Sequence, residues 1–335
     1  MTVVPAARER RFELTSDAVL RFLLVERWVL LVILLAGLVA YNGVYVDDFL
    51  SFDNLAGSTA FGVEVGILAL AQLLVILTGR GAIDLSVGSS VSLASVVFGE
   101  LVTKLGLSLW PAVVLTILFG LLLGSVNGFF VAVVGLPALI VTLATLFAYS
   151  SLALVITNTV PISDIPPRLF DLALYWHGIP RQTLLVYLPV IALVWLLLRF
   201  SVYGRHLYAL GTNALASRFA AGPVVLARFW AFALSGMLCG IVALVTSARF
   251  ASARPDAGVG LELQSITIAV LGGVAITGGV GTVPPVVIAT ILITLLNNGM
   301  NLAGTDPIWQ QAALGGILIG SALLNSFAGR RYGAS

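Results

Sequence analysis

The chain is poor in almost everything that a water-facing surface or a catalytic centre is built from. Only 10% of its 335 residues are charged, against about a quarter in an ordinary soluble domain, which is too little to cover a surface in contact with water. There is one cysteine, Cys239, so no disulfide framework forms within the chain; it falls in an apolar run, where core packing is expected rather than a reactive thiol. The single lysine, Lys104, lies in VTKLG, and no G-x-x-x-x-G-K-[ST] pattern occurs, which excludes a P-loop. The two histidines, His177 and His206, fall in polar stretches without metal-ligand spacing. No series of acids and histidines lies inside an apolar run, as a proton relay requires, and no intramembrane Ser/His/Asp set presents itself. The chain is therefore expected not to be an enzyme, to carry no metal or cofactor of its own, and to have no nucleic-acid partner.

What is abundant is hydrophobicity, 59% of the residues, with a mean hydropathy of +1.08. The apolar runs are continuous and about 20 residues long, the length a helix needs to cross a bilayer, and they lack the alternation of barrel strands. The expected fold class is all-α: a polytopic membrane protein with about ten transmembrane helices, at roughly 28–46, 57–78, 84–103, 109–134, 136–157, 183–198, 228–247, 262–279, 283–302 and 307–327. The third and eighth runs are rich in Gly and Ser and are expected to be broken or re-entrant. Residues 1–27 read as a cytoplasmic tail with an interfacial helix that turns Val19, Leu20, Leu23 and Leu24 toward lipid. No convincing cleavage site follows, so no removable signal peptide is expected. Residues 28–327 would be the transmembrane domain, and 328–335 a cytoplasmic tail.

Orientation follows from counting charges. With the N-terminus inside, ten spans put twelve of the seventeen basic residues on the cytoplasmic side, which favours N-in, C-in. An internal repeat is also visible. Asn127-Gly128 precedes Pro137 at the end of the fourth run, and Asn298-Gly299 precedes Pro307 by a similar interval at the end of the ninth. Five spans apart means opposite orientation, the mark of an inverted repeat, and such repeats meet at a central pathway.

The long polar interruption late in the chain, Arg199–Arg228, carries Arg199, Arg205, His206, Arg218 and Arg228 and no carboxylate. It reads as a basic loop exposed to the cytoplasm. A short helix around Ala214–Ala221, started from Gly211-Thr212-Asn213 and stopped at Gly222-Pro223, would follow the cap and stop patterns. Such a loop has the shape of a plug that docks into another protein; an ordinary connector is the alternative. Earlier, LTGRGAIDLSVGSS (77–90) places Asp84 beside an apolar run. Asp84 reads either as part of a hinge beside a pathway or, preferred, as a cap of the third helix at its cytoplasmic edge. Asn297, Asn298 and Asn301 share one helix face and suit a hydroxylated, uncharged solute. With Asp84, Ser86, Asn127 and Thr142 they are the pathway candidates, interhelical hydrogen bonding being the plainer reading of each one.

Together these segments resemble a known family. IDLSVGS (83–89), PALIVTLATL (137–146), YGRHLYALGTN (203–213), ALSG (233–236), SARFASARPDAGVGLEL (247–263), LGG (271–273), LLNNGMNL (295–302) and WQQ (309–311), in this order, are similar to the permease subunits of ribose-type sugar ABC importers. That group includes permeases for xylose, rhamnose, inositol and autoinducer-2. The resemblance implies a multi-pass protein of the bacterial inner membrane, surrounded by membrane lipid, that translocates a sugar or sugar-like solute. It also implies three partners: a cytoplasmic ABC ATPase that binds the ATP and Mg, a second permease (another copy or a paralogue), and a periplasmic or lipid-anchored solute-binding protein to which substrate choice largely falls. Gly211, Thr212, Asn213, Ala214, Ala216, Ser217, Arg218 and Gly222 would form the coupling loop seated on the ATPase. Two departures stand out: Pro284-Pro285 after the GGxG turn, which favours an extended approach to the following helix, and Pro223 after the coupling-loop glycine. The alternative function is an ATP-independent channel or secondary carrier for a small uncharged solute.

Overall fold

A computed structural model describes residues 27–332. In chain order its helices are α1 (Arg27–Tyr45), α2 (Phe52–Ile76), α3 (Val87–Thr103), α4 (Leu109–Gly128), α5 (Ala138–Thr157), the single turn α6 (Pro167–Phe170), α7 (Leu188–Phe200), α8 (Val202–Thr212), α9 (Ala214–Phe219), α10 (Val224–Phe250), α11 (Leu261–Leu271), α12 (Val283–Leu302) and α13 (Pro307–Tyr332). A π turn, Phe129–Val134, continues α4, and another, Thr183–Tyr187, leads into α7. The only paired strands among the described residues are β1 (Tyr175–Trp176) and β2 (Ile179–Pro180), a minimal antiparallel hairpin. The chain is thus mostly helical, as its continuous apolar runs require. Among the described residues, six helices, π turns included, are long and apolar enough to cross a membrane; α1, α3 and α11 are apolar but shorter. The interfacial helix expected within 1–27 lies outside the described residues, and α13 continues to Tyr332, past the boundary expected at 327.

α2 and α10 form the centre. Every residue of α2 from Gly62 to Ile76 is buried, so the helix is enclosed on all sides, as expected of one that is apolar all round. α10 crosses α4 at closest range. Gly120 and Gly124 of α4 face Gly236 and Gly240 of α10, and a Cβ on Gly236 would collide with the Gly120 carbonyl oxygen. Small residues four apart let helix backbones touch where no solvent-driven hydrophobic effect holds them together. α4 and α5 turn large apolar side chains outward, among them Leu118, Leu122, Ile140 and Phe147.

Several expectations are corrected. The stretch 199–228 is not an open loop: it comprises the end of α7, all of α8 and α9, and the start of α10. Arg228, expected in exposed basic sequence, is 8% exposed and donates from Nη2 to the Thr78 carbonyl at 3.3 Å. The eighth run does break: α11 stops at Leu271, and 272–282 form a loop with Gly273, Gly278, Gly279 and Gly281 at positive φ. The third run does not break: α3 is continuous from Val87 to Thr103 with Gly88 and Gly99 inside it. Pro284 and Pro285 do not prolong the extended approach. Only Thr282 is extended, and both prolines occupy the first turn of α12, where a missing N–H costs no intrahelical bond.

Candidate functional site

The turn between α2 and α3 carries a sealed polar network. Asp84 is 2% exposed. Its Oδ1 accepts from the Ser86 amide (3.0 Å) and the Ser86 hydroxyl (2.7 Å), and its Oδ2 accepts from the Ser235 hydroxyl of α10 (3.1 Å). Asn127 of α4 donates to Ser86 Oγ at 2.7 Å, so a one-way chain of donors runs from Asn127 through Ser86 to Asp84. Gln72 of α2 clasps the Asp84 backbone, donating to its carbonyl (2.6 Å) and accepting from its amide (3.3 Å). Thr142 of α5 donates to the Ile83 carbonyl at 3.1 Å. Asp84 does bond amide hydrogen at the start of α3, but in the interior rather than at an aqueous edge. There it ties the α2–α3 turn to α10 and, through Ser86, to α4.

Asn297, Asn298 and Asn301 sit elsewhere. They line a cavity of about 520 Å³ together with Ser58, Glu64, Arg249 and Gln264. Asn298 and Asn54 exchange amide hydrogen bonds at 3.0 Å, and Asn301 accepts from Gln310 at 2.7 Å. The seven pathway candidates therefore divide between two places, four in the sealed network and three in the cavity. The cavity also holds two residues that the sequence reading passed over. Arg249 grips Glu64 side-on, Nε to Oε1 at 2.9 Å and Nη2 to Oε2 at 2.7 Å. Glu64 was legible as the one carboxylate in the run 57–78. Arg249 lies just beyond the apolar run expected at 228–247, whereas α10 continues to Phe250.

The third feature is at the other end of α2. Asn213 separates α8 from α9 and caps α9, its Oδ1 accepting from the Ala216 amide at 2.9 Å. α9 stops with Ala221 at positive φ and the Gly222 amide bonded back to the Ser217 carbonyl at 2.9 Å. Helix, cap and stop fall where the sequence indicates. Thr212, Asn213, Ala216 and Arg218 are exposed, and Gly211, Ala214, Ser217 and Gly222 are half-buried. Leu215 and Phe219, one turn apart, are 65% and 82% exposed, and the sequence reading did not single them out. Behind them α8 is jammed into the core. The Gly279 amide bonds the Leu77 carbonyl at 3.2 Å, and a Cβ on Gly211 would collide with both groups. Tyr208 donates its hydroxyl to the Gly281 carbonyl at 2.7 Å.

Membrane-length helices enclosing a polar cavity, with an exposed apolar helix at the opposite end, define a polytopic membrane protein with an internal polar site. Residues 54–322 match the family described as "Branched-chain amino acid transport system / permease component". The chain is 35% identical over 299 residues to the probable ABC transporter permease protein y4mJ of Sinorhizobium fredii, 89% of this chain and 88% of that one. It is 34% identical over 297 residues to the autoinducer 2 import system permease protein LsrD of Klebsiella pneumoniae, 87% and 88% of the two chains. It is 31% identical over 316 residues to the ribose import permease protein RbsC of Haemophilus influenzae, 93% and 96%. No solved structure matches. The chain belongs to this permease family, as a multi-pass inner-membrane subunit of a ribose-type ABC importer. Such subunits are not themselves enzymes, and membership implies an ATPase and a solute-binding protein as partners.

Proposed function

We propose that this chain forms the passage for a sugar or sugar-like solute and that its α8–α9 segment is the seat of the ATPase. The observation that carries the coupling role is the pairing of an exposed apolar face, Leu215 and Phe219, with the buried wedge of Gly211. A force on α9 reaches the α2–α3 turn and the 272–282 loop through backbone contacts, with no flexible side chain between to absorb it. ATP and Mg bind in the partner, and closure of the ATPase dimer draws on α9. Two permease subunits, this chain with another copy or a paralogue, rock about the pathway. The outward apolar faces of α4 and α5 supply surface for lipid and for that second permease.

The reading includes ten spans with both termini in the cytoplasm, and an inverted repeat. Support for the repeat extends beyond the Asn-Gly pairs. Asp84-Leu-Ser-Val-Gly88 and Asp256-Ala-Gly-Val-Gly260 share a D-x-x-V-G pattern 172 positions apart, and Asn127 and Asn298 are 171 apart. α2 to α5 thereby correspond to α10 to α13.

Purification of the tagged chain in mild detergent tests the coupling role. A P-loop ATPase is expected to co-purify and to be lost when Leu215 and Phe219 are both changed to Ala, in protein that still inserts. Asn213→Ala, which removes the cap of α9, should uncouple ATP hydrolysis from uptake. Recovery of this chain alone would favour the ATP-independent carrier.

A further inference from the structure

The Glu64–Arg249 pair has no part in the coupling seat or the sealed network. The Glu64 side chain is 4% exposed and that of Arg249 25%. Burying an ion pair in place of well-packed apolar groups generally gains little stability, and ionisable groups at membrane depth tend to mark a solute pathway. The surroundings fit that use. Arg249 lies over the ring of Phe61 at 5.4 Å and that of Phe250 at 4.4 Å. Thr294 Oγ1 and Asn297 Oδ1 are buried without a hydrogen-bond partner among the described residues, and both residues line the cavity. At about 520 Å³ the cavity falls in the range usual for small-molecule sites. It opens among the first half of α2 and the C-terminal ends of α10 and α12, away from the end of α2 that meets Gly211.

We infer that this cavity is a recognition site for a neutral polyhydroxylated solute, with Glu64–Arg249 as its polar anchor and Phe61 as its apolar wall. The inference rests on the reading of the chain as a sugar-type permease and adds to it that the permease itself selects. Sugar hydroxyls both donate and accept. They bond the outer lone pairs of the Glu64 carboxylate and the Nη1 of Arg249, since Nε and Nη2 already hold Glu64, so the pair stays intact. Asn297, Asn298 and Asn301 add amides of both polarities, and an aromatic ring suits the C–H face of a pyranose or furanose. An amino acid is the wrong match. Its ammonium and carboxylate would have to pull Glu64 and Arg249 apart, giving up two charge-assisted bonds.

The test uses the intact importer, this chain with its partner permease, ATPase and binding protein, in liposomes. Radiolabelled D-ribose, D-xylose and D-glucose are the probes, and L-leucine is a competitor. At least one sugar should enter, unaffected by L-leucine. Glu64→Gln combined with Arg249→Gln, and separately Asn301→Ala at the exposed rim, should raise the half-saturation concentration by about tenfold, while ATP hydrolysis stimulated by the binding protein persists. The exchange Glu64→Arg with Arg249→Glu should restore thermal stability without restoring uptake. Unchanged half-saturation in the amide and rim variants, or full uptake by the exchanged pair, would reduce Glu64–Arg249 to a structural tie and overturn the inference. A wild-type importer that moves none of the sugars, or that L-leucine blocks, overturns the sugar reading itself.

Discussion

Two turns written in the same pattern treat their carboxylate in opposite ways. In Asp84-Leu-Ser-Val-Gly88 the aspartate is sealed among Ser86, Ser235 and Gln72 and knits three helices together. In Asp256-Ala-Gly-Val-Gly260 the side chain is 54% exposed and is held by Arg254 of its own loop, at 3.0 and 2.9 Å. The helices around the two turns differ in the same sense. Next to the first, α4 and α10 meet backbone to backbone through glycine. Next to the second, α12 meets α2 through Thr294, packed on Gly62, and the space beside that contact is the cavity lined by Glu64 and the asparagines. Similar local sequence has therefore produced a fastened half and an open half. The fastener adjoins the end of α2 that meets Gly211, and the opening lies toward its other end.

The sharpest way to break the comparison is to remove the buried carboxylate. Asp84→Leu leaves the Ser86 amide and hydroxyl and the Ser235 hydroxyl without their acceptor, in a place water does not reach. The expected loss is about 3 kcal/mol or more, seen as failure to accumulate or as a strongly lowered melting temperature in detergent. Asp256→Leu at the matching position should leave both nearly unchanged. Equal losses from the two substitutions would mean that the turns share one structural role.

A smaller effect separates the two crossings. Gly236→Ala drives a Cβ into the Gly120 carbonyl, and only movement of a helix relieves it; overpacking of this kind costs about 1–3 kcal/mol. At Gly62 the added Cβ would meet Thr294 Oγ1 at 2.8 Å, and that is a side chain free to rotate. Gly62→Ala should therefore cost under about 1 kcal/mol. Melting temperatures of the two variants in the same detergent compare them directly, and an equal loss would remove the contrast between a fixed and an adjustable crossing.

The sequence was most legible where backbone chemistry decides. The asparagine cap and glycine stop of α9 follow from groups that act within a few residues, and so does the break of the eighth run. It was least legible where partners come from distant helices. In a chain apolar on nearly every face, periodicity does not separate a side chain turned toward lipid from one turned toward another helix, so the central place of α2 left no mark in its pattern. The pathway candidates were legible as polar groups among apolar ones. Their division into a fastener and a cavity depends on which helices cross, as does the meeting of Glu64 with Arg249, 185 positions apart.

The smallest effect belongs to the exposed turn and concerns pH. Hydrogen bonds from Arg254, helped by its positive charge, hold the Asp256 carboxyl below its ordinary value of 3.8, with partial burial opposing them. A carboxyl whose folded pKa is depressed lends stability above its unfolded pKa and loses it as pH falls through the folded value. The pair is open to solvent, so its contribution is that of a surface pair, a fraction of a kcal/mol at about neutral pH. Asp256→Asn should lower the melting temperature slightly at pH 7, and the gap from wild type should close as pH drops below 3.8. The same substitution at Asp84 removes one acceptor oxygen from a buried network of hydroxyl and amide donors, so its penalty should persist at pH 7 and far exceed that at Asp256. If Asp256→Asn proved the more damaging of the two, the open turn rather than the sealed one would be the fastening point, and the assignment of the two halves would reverse.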